Sequence, residues 1–280
     1  MRPLISYYGG KQRLASKLIP LIPPHNVYVE PFAGGAAILF AKGKPEITNN
    51  NHYREVLNDK DGRSTTLYRV ARERPEELIR LLEMTPYSRD DHRRAALIVK
   101  GQIMADELMV AWAVYVSLQM SFANKLNGGF GVRLLSQNSA ASYTQGKLCL
   151  PEQCARLSDV AIESLDALEI IKRYDAPQTF FYCDPPYPGA AQGHYTGYTV
   201  EQFNALVDAL DNCQGAYMLS CYQVEGLRSP RDAERIEFRA TMSAAKDKAK
   251  PKDRIEVVYR RLARTAPRPS LKLFDGAQMM

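Results

Sequence analysis

The tetrapeptide Asp184-Pro185-Pro186-Tyr187 is the part of the chain with the most chemical content. It follows the aromatic run Thr179-Phe180-Phe181-Tyr182-Cys183, which reads as a buried strand that tandem prolines must stop. An acid therefore stands at a strand's carboxyl end, ahead of two residues without N–H groups, in a rigid loop whose carbonyls stay available as acceptors. Tyr187 adds a flat face. An aminopurine or aminopyrimidine edge needs this set: a carboxylate and a carbonyl for two amino protons, and an aromatic ring against its plane. Taken alone, the tetrapeptide is more simply a proline-stiffened turn with a surface tyrosine.

A second group is Glu30-Pro31-Phe32-Ala33-Gly34-Gly35, which follows the β-prone Val27-Tyr28-Val29 and opens an apolar, helix-permissive run. Strand, glycine turn and helix form the place where a doubly wound sheet approaches a nucleotide-like ligand, although this is not the G-x-G-x-x-G fingerprint. Asp59 ends a further predicted strand, Arg54 to Leu57, where a carboxylate can grip two ribose hydroxyls; alone, such an acid is more often a helix cap. Together the two groups could set an exocyclic amine beside a nucleotide-like ligand. Such an amine is a poor nucleophile because its lone pair is delocalised into the ring. Acceptors at Asp184 and the Pro185 carbonyl would hold both protons and turn that lone pair outward, with no separate base.

Other elements must position these loops. The chain has 280 residues, 45% hydrophobic and 24% charged, which excludes disorder, collagen and small disulfide scaffolds and suffices for one large domain with an insertion. Lysine and arginine number 37 against 31 acids, a net charge of +6 that suits a polyanionic partner. Five cysteines without C-x-x-C pairs read as reduced thiols of a cytoplasmic protein. With neither a signal-peptide core nor a long apolar run, no membrane association is expected. His25, His52, His92 and His194 lack metal-ligand spacing, so no metal is assigned. Strands at 27–29, 54–57, 179–183, 216–220 and 255–259 alternate with helical patterns, including Val200 to Leu210, and predict an α/β fold with a mostly parallel sheet. Residues 66–151 read instead as helices, Pro75 to Leu82 and Arg93 to Met104 among them, followed by a glycine-rich loop from Asn124 to Gly146. Trp112 reads as core. The expected organisation is a catalytic domain over 1–65 and 152–265, a helical insertion over 66–151 and a flexible tail over 266–280.

Tyr7-Tyr8-Gly9-Gly10-Lys11, Val29 to Gly35, Leu57-Asn58-Asp59 and Phe181 to Tyr187 occur in the order found in Dam-type (class alpha) DNA adenine-N6 methyltransferases, which the chain resembles over most of residues 5–260. Glu163-Ser164-Leu165-Asp166, Met218-Leu219-Ser220 and Arg254-Ile255-Glu256-Val257 extend the likeness. The resemblance implies a doubly wound, Rossmann-like methyltransferase sheet with a helical target-recognition insertion, S-adenosyl-L-methionine as cofactor and double-stranded DNA as substrate. It further implies that Asp184, Pro185, Pro186 and Tyr187 hold a flipped adenine with Lys11 beside it. Tyr7, where relatives often carry Trp, would join Gly10, Lys11, Glu30, Phe32, Ala33, Gly34, Asp59, Asp166 and Asp184 around the cofactor. A cytosine-N4 methyltransferase uses the same loop logic, a glutamine-N5 methyltransferase shares the P-P-Y turn but typically has Asn before it, and a catalytically silent DNA-binding relative stands as the non-enzymatic alternative.

Within the insertion, Arg89, Arg93 and Arg94 can neutralise phosphates, and Asn124, Lys125 and Asn127 stand in a loop whose asparagines can read bases and whose aromatics can fill the space of a flipped base. An arginine-rich helix is also an ordinary solvated face. Lys246, Lys248, Lys250 and Lys252 suit either a phosphate track or an exposed loop. The insertion matches the family poorly, so GATC, its commonest target, does not carry over. The sequence marks no restriction endonuclease partner and no oligomer, and a monomer is consistent with it.

Overall fold

The computed structural model describes residues 1–7, 10–44, 53–131, 138–188, 198–222, 226–240 and 254–264. Tyr8, Gly9, the four lysines at 246–252 and the tail over 266–280 lie outside them. In chain order the strands are β1 (Val27–Glu30), β2 (Arg54–Asn58), β3 (Val160–Glu163), β4 (Thr179–Cys183), β5 (Ala216–Tyr222), β6 (Glu234–Ala240) and β7 (Arg254–Arg261). The helices are α1 (Ala15–Leu18), α2 (Ala37–Lys42), α3 (Gly62–Glu73), α4 (Pro75–Glu83), α5 (Arg89–Val99), α6 (Glu107–Met120), α7 (Ser139–Lys147), α8 (Leu150–Arg156), α9 (Ala167–Tyr174) and α10 (Val200–Asn212).

The strands form one sheet in the order β3-β2-β1-β4-β5-β7-β6. Strands β1 to β5 are parallel, and β7 inserts antiparallel between β5 and β6. This is the doubly wound, Rossmann-like sheet expected. The chain steps outward from β1 through β2 to β3 and then returns to the other side of β1 as β4. The carboxyl ends of β1 and β4 consequently flank the topological switch point, where such sheets open a ligand crevice. The glycine turn and the Asp184 loop are the two segments that leave these ends.

Alternation along the strands fills two cores. Tyr28, Phe180, Tyr182 and Met218 face the side packed by the N-terminal segment, α2 and the helices between β2 and β3. Val29, Phe181, Cys183 and Leu219 face α9 and α10. Every residue of β4 is buried, as expected for a strand covered on both faces.

Helices α3 to α8 fill the interval between β2 and β3, and the expected boundaries at 65/66 and 151/152 both fall inside helices, α3 and α8. Trp112 is core, 2% exposed, and donates its indole N–H to Thr85 Oγ1 at 2.8 Å. The helix expected over Arg93 to Met104 corresponds to α5, which starts at Arg89 behind a Ser88 cap and stops at Val99, because Gly101 takes φ +71°, a left-handed conformation that ends a helix. Arg156 of α8 forms a buried two-pronged ion pair with Glu55 of β2, at 2.6 and 2.8 Å, and Lys42 of α2 joins the same carboxylate. That network ties the last helix before β3 to the sheet. Among the described residues no helix is long and apolar enough to cross a membrane.

Candidate active site

The turn after β1 is built by backbone geometry. Gly34 has φ +46° and Ala36 φ +49°, so the chain reverses sharply before α2. A Cβ at Gly35 would lie 2.9 Å from the Ile5 carbonyl, whereas one at Gly34 would meet nothing within 4 Å and would project into open space. Gly35 is thus required by the fold, and Gly34 faces the crevice. The turn is clamped from three directions. Asp59 Oδ2 accepts from the Gly34 N–H at 2.8 Å, Tyr68 of α3 donates to the Gly34 carbonyl at 2.6 Å, and the Ala33 N–H donates to the Asn58 carbonyl at 2.8 Å. Asp59 is not the cap of α3, a role taken by Asp61. Its second oxygen accepts from the Asp61 N–H at 2.9 Å. Tyr7, half-buried against Gly35, bonds Ser64 of α3 at 2.7 Å, and its carbonyl accepts from the Gly10 N–H at 3.0 Å.

Asn58 ends β2 and joins the loops after three strands. It donates to the carbonyls of Pro31 and Leu165 and accepts from the Leu165 N–H, all at 2.9–3.0 Å. Asp166 follows Leu165, caps α9 through the Leu168 N–H and pairs with Lys60 at 3.1 Å. These loops enclose a cavity of about 290 Å³ lined by Pro31, Phe32, Asp59, Lys60, Asp166, Leu168, Pro186 and Tyr198, among others. Phe32 and Tyr198 meet edge to face across 6.1 Å. Apolar walls with a buried carboxylate at the base, Asp59, and an exposed one, Asp166, suit a nucleoside: rings against the aromatics, hydroxyl and amino groups on the carboxylates. Glu30 turns elsewhere. It is buried, accepts from Tyr28 Oη at 2.7 Å and the Leu39 N–H at 2.8 Å, and burial pushes its carboxyl up to about 7.

At the end of β4, residues 180–188 are buried except Asp184, whose side chain is 22% exposed. Lys11, 5% exposed, reaches it from the N-terminal segment: its ammonium donates to Asp184 Oδ1 at 2.7 Å and Tyr187 Oη at 2.8 Å, and lies 3.2 Å from Glu256 Oε1. Burial alone would lower the Lys11 ammonium, yet the carboxylates of Asp184 and Glu256 hold it above its ordinary value. Tyr187 is 4% exposed and therefore not the surface tyrosine of a simple turn. Its hydroxyl lies 2.9 Å from Asp184 Oδ1 and 2.6 Å from Glu256 Oε1, and its ring packs edge-on against Tyr222 at 4.4 Å. Burial, with those two carboxylates, raises the Tyr187 phenol well above its usual range.

Glu256 and Asn58 belong to this site although sequence reasoning did not single them out. Asn58 carried a signal in its place at a strand end between two motifs, and Glu256 none beyond its segment's resemblance.

The residues expected at DNA form a separate group. Arg89 and Arg93 share one exposed face of α5, where Arg89 stacks on Phe130 with 4.9 Å to the ring centroid and Arg93 pairs with Asp90 at 3.2 Å. Arg94 covers Trp112 at 5.7 Å. The loop 121–131 is pinned by a Ser121–Phe130 bridge and contains Asn124 at φ +52°, half-buried Lys125, exposed Asn127 and Phe122, which is 67% exposed.

Comparison with known proteins adds the following. A family model described as D12 class N6 adenine-specific DNA methyltransferase matches residues 7–234. The type II methyltransferase M1.LlaDCHI of Lactococcus lactis subsp. cremoris is 27% identical over 220 residues, 73% of this chain and 72% of that protein. The type II methyltransferase M.CviBI of Paramecium bursaria Chlorella virus NC1A is 25% identical over 193 residues, 67% of this chain and 69% of that protein. Among solved structures, the rRNA methyltransferase aviRa of Streptomyces viridochromogenes aligns over 89% of this chain and 84% of its own at 13% identity and a TM-score of 0.37.

Proposed function

The chain belongs to the family of D12 class N6 adenine-specific DNA methyltransferases, and from that premise we propose that it moves a methyl group from S-adenosyl-L-methionine to a flipped adenine of double-stranded DNA, with Asp184 at the centre of the reaction. Its reaction is adenine-N6 methylation of DNA, which sets aside the cytosine-N4, glutamine-N5 and silent alternatives. The observation that carries the proposal is the partly accessible Asp184, charge-paired to Lys11, in an otherwise buried loop whose Pro186 lines a nucleoside-sized cavity at the switch point.

The donor, when bound, supplies an electrophilic methyl group on a sulfonium sulfur. Phe32, Asp59, Asp166 and Tyr198 would hold its nucleoside end, and Tyr7, Gly10, Ala33 and Gly34 the end nearer Lys11; the open space where a Gly34 Cβ would project fits a ligand lying on that turn. Glu30 supports the turn from beneath by fixing the start of α2. Asp184 and the Pro185 carbonyl accept the two amino protons of adenine, so that the N6 lone pair leaves conjugation and points outward. Lys11 holds the Asp184 carboxylate in place, and Pro185 and Pro186 keep the loop rigid. After transfer, one N6 proton passes to Asp184 and on to water. Fixing nitrogen and methyl in line contributes proximity worth up to roughly 7–11 kcal/mol.

Helices and loops over 66–151 serve as the target-recognition insertion in this proposal. Arg89, Arg93 and Arg94 meet phosphates, Asn124, Lys125 and Asn127 approach the groove, and exposed Phe122 is the aromatic available to fill the vacated stack. A place in a type II restriction-modification system follows from the names of the relatives. Methylation-aware sequencing of DNA from a host expressing the chain, with Asp184→Ala as control, tests the whole: N6-methyladenine at one recurring sequence, absent in the control, is expected. Methylation of cytosine instead, or of adenine by the control as well, would refute it.

A further inference from the structure

Among the described residues Lys11 faces Asp184 Oδ1 at 2.7 Å, Tyr187 Oη at 2.8 Å and Glu256 Oε1 at 3.2 Å. Tyr187 has one hydroxyl proton and two carboxylate acceptors, Glu256 Oε1 at 2.6 Å and Asp184 Oδ1 at 2.9 Å. Both carboxylates cannot receive that proton at once. If Asp184 took it, the same oxygen would accept from both Lys11 and Tyr187, and the carboxylate would be a poorer acceptor for anything arriving from the crevice. The shorter contact gives the proton to Glu256.

Glu256 is itself 3% exposed and has no path to the crevice comparable to that of Asp184. Its position is set by β7, which pairs Glu256 with Tyr222 of β5 and with Phe238 of β6. A buried carboxylate is costly to keep unless it is paired and hydrogen-bonded, and Glu256 meets that condition through Lys11 and Tyr187. Burial pushes its carboxyl upward against the pull of Lys11.

From this geometry we infer that Glu256 is a positioning residue of the methyl-transfer site: it takes the Tyr187 hydroxyl proton and a share of the Lys11 charge, so that Asp184 keeps its acceptor capacity for the adenine amino group. It acts through Tyr187 and Lys11 and does not touch the substrate. The inference rests on the proposed role of Asp184 as the amino-group acceptor.

The test uses Glu256→Gln, Glu256→Asp, Tyr187→Phe and the Glu256→Gln/Tyr187→Phe double variant of the full chain. Steady-state methyl transfer to duplex DNA, donor affinity by calorimetry and melting temperature are measured for each. Glu256→Gln leaves a weaker, uncharged acceptor for the Tyr187 hydroxyl and removes the counter-charge to Lys11. It is expected to lower kcat about 10-fold or more, with KM for DNA and donor Kd changed less than about 2-fold, because that charge matters only where Asp184 meets the reacting amine. Glu256→Asp should recover part of the loss. The double variant should be no slower than the slower single variant, since one change weakens and the other removes the same shared contact. Unchanged kcat in Glu256→Gln, a loss carried by donor Kd, or a double variant with multiplied losses would each overturn the inference. Should Glu256→Gln not fold, Tyr187→Phe retains Lys11 and both carboxylates and decides alone: wild-type kcat would overturn the shared proton. Asp184→Asn separates the two levels. If it retains kcat, the underlying reading fails; if it is inactive while Glu256→Gln is unaffected, only the role of Glu256 fails.

Discussion

The crevice at the carboxyl ends of β1 and β4 and the outer face of α5 with the loop 121–131 are both polar, yet they are constructed in opposite ways. At the centre of the crevice, charged groups are buried or nearly so, and partners from distant parts of the chain hold them: Lys11 meets Asp184 and Glu256, and Asp59 meets Gly34, while the Lys60–Asp166 pair at the edge is exposed. On α5 the charges are exposed and paired locally, as in Arg93 with Asp90 three residues away, where both side chains are more than three-quarters exposed. Buried, multiply bonded charges have one arrangement and fail as a unit when a member is removed, whereas exposed pairs contribute little and can be exchanged. Chemistry that must be positioned to a fraction of an ångström sits in the first kind of region. In the proposed function, contacts that must conform to a partner, and can vary in the sequence they recognise, fall to the second.

The comparison breaks first at Asp184. Asp184→Ala should reduce methyl transfer by about 100-fold or more while calorimetric donor affinity changes little, since in the proposed mechanism this carboxylate acts on the substrate amine. Activity within a few-fold of wild type would place the crevice's chemistry elsewhere. Next in size is Lys11→Met, which leaves Asp184 and Glu256 facing each other without a cation. Breaking a buried pair in this way costs about 3–5 kcal/mol, to be read from denaturant unfolding, and activity should fall with it.

Glu30 sharpens the contrast through pH. With its folded value raised to about 7 by burial, the carboxyl is protonated in the folded protein where the unfolded chain has already released the proton. Stability from this group is therefore fully present below the ordinary glutamate value and is lost as pH rises toward and through 7, by on the order of 3 kcal/mol. Glu30→Gln keeps an acceptor for Tyr28 and Leu39, so its melting temperature should match wild type near pH 4 and exceed it at pH 8. Equal pH dependence in both proteins would show that Glu30 does not titrate this way.

The smallest effects belong to α5 and its loop. Arg93→Ala should change stability by no more than about 0.5 kcal/mol. It should weaken binding to all duplexes alike, with a salt slope shallower by about one. Asn127→Ala should instead relax the methylated sequence, at about 1–3 kcal/mol for a lost base contact. Salt-titrated binding and sequencing of methylated sites distinguish them, and a reversal of the two phenotypes would exchange the roles of helix and loop.

Much of the crevice was legible from residue order because its loops are contiguous and marked by residues with strong local preferences. Tandem prolines stop β4 after Cys183, a glycine pair turns the chain after β1, and an acid ends the β2 segment. The aromatic and β-branched character of 179–183 and 216–220 likewise marks strands whatever surrounds them. Strands β3 and β6 escaped notice for a physical reason. Val160-Ala161-Ile162-Glu163 is too short to show a period, and Glu234 to Ala240 is an edge strand charged at four of its seven positions, which leaves too few apolar residues to mark it. The same shortage of local signal hid the true start of α5, which a serine cap sets and no apolar period announces.

Glu256 marks the boundary between what residue order determines and what the fold decides. The motifs around residues 11, 34, 59 and 184 each specify a local shape, and together they offer a place for an exocyclic amine beside a nucleotide-like ligand; the reaction class came with the resemblance that their order carries. Which groups neutralise one another was decided only when β7 returned between β5 and β6 and brought residue 256 against residues 11, 184 and 187. No spacing along the chain encodes that meeting. Strand order follows from burying every apolar strand face and pairing every backbone donor across the whole sheet, a condition on the folded molecule and not on any segment of it.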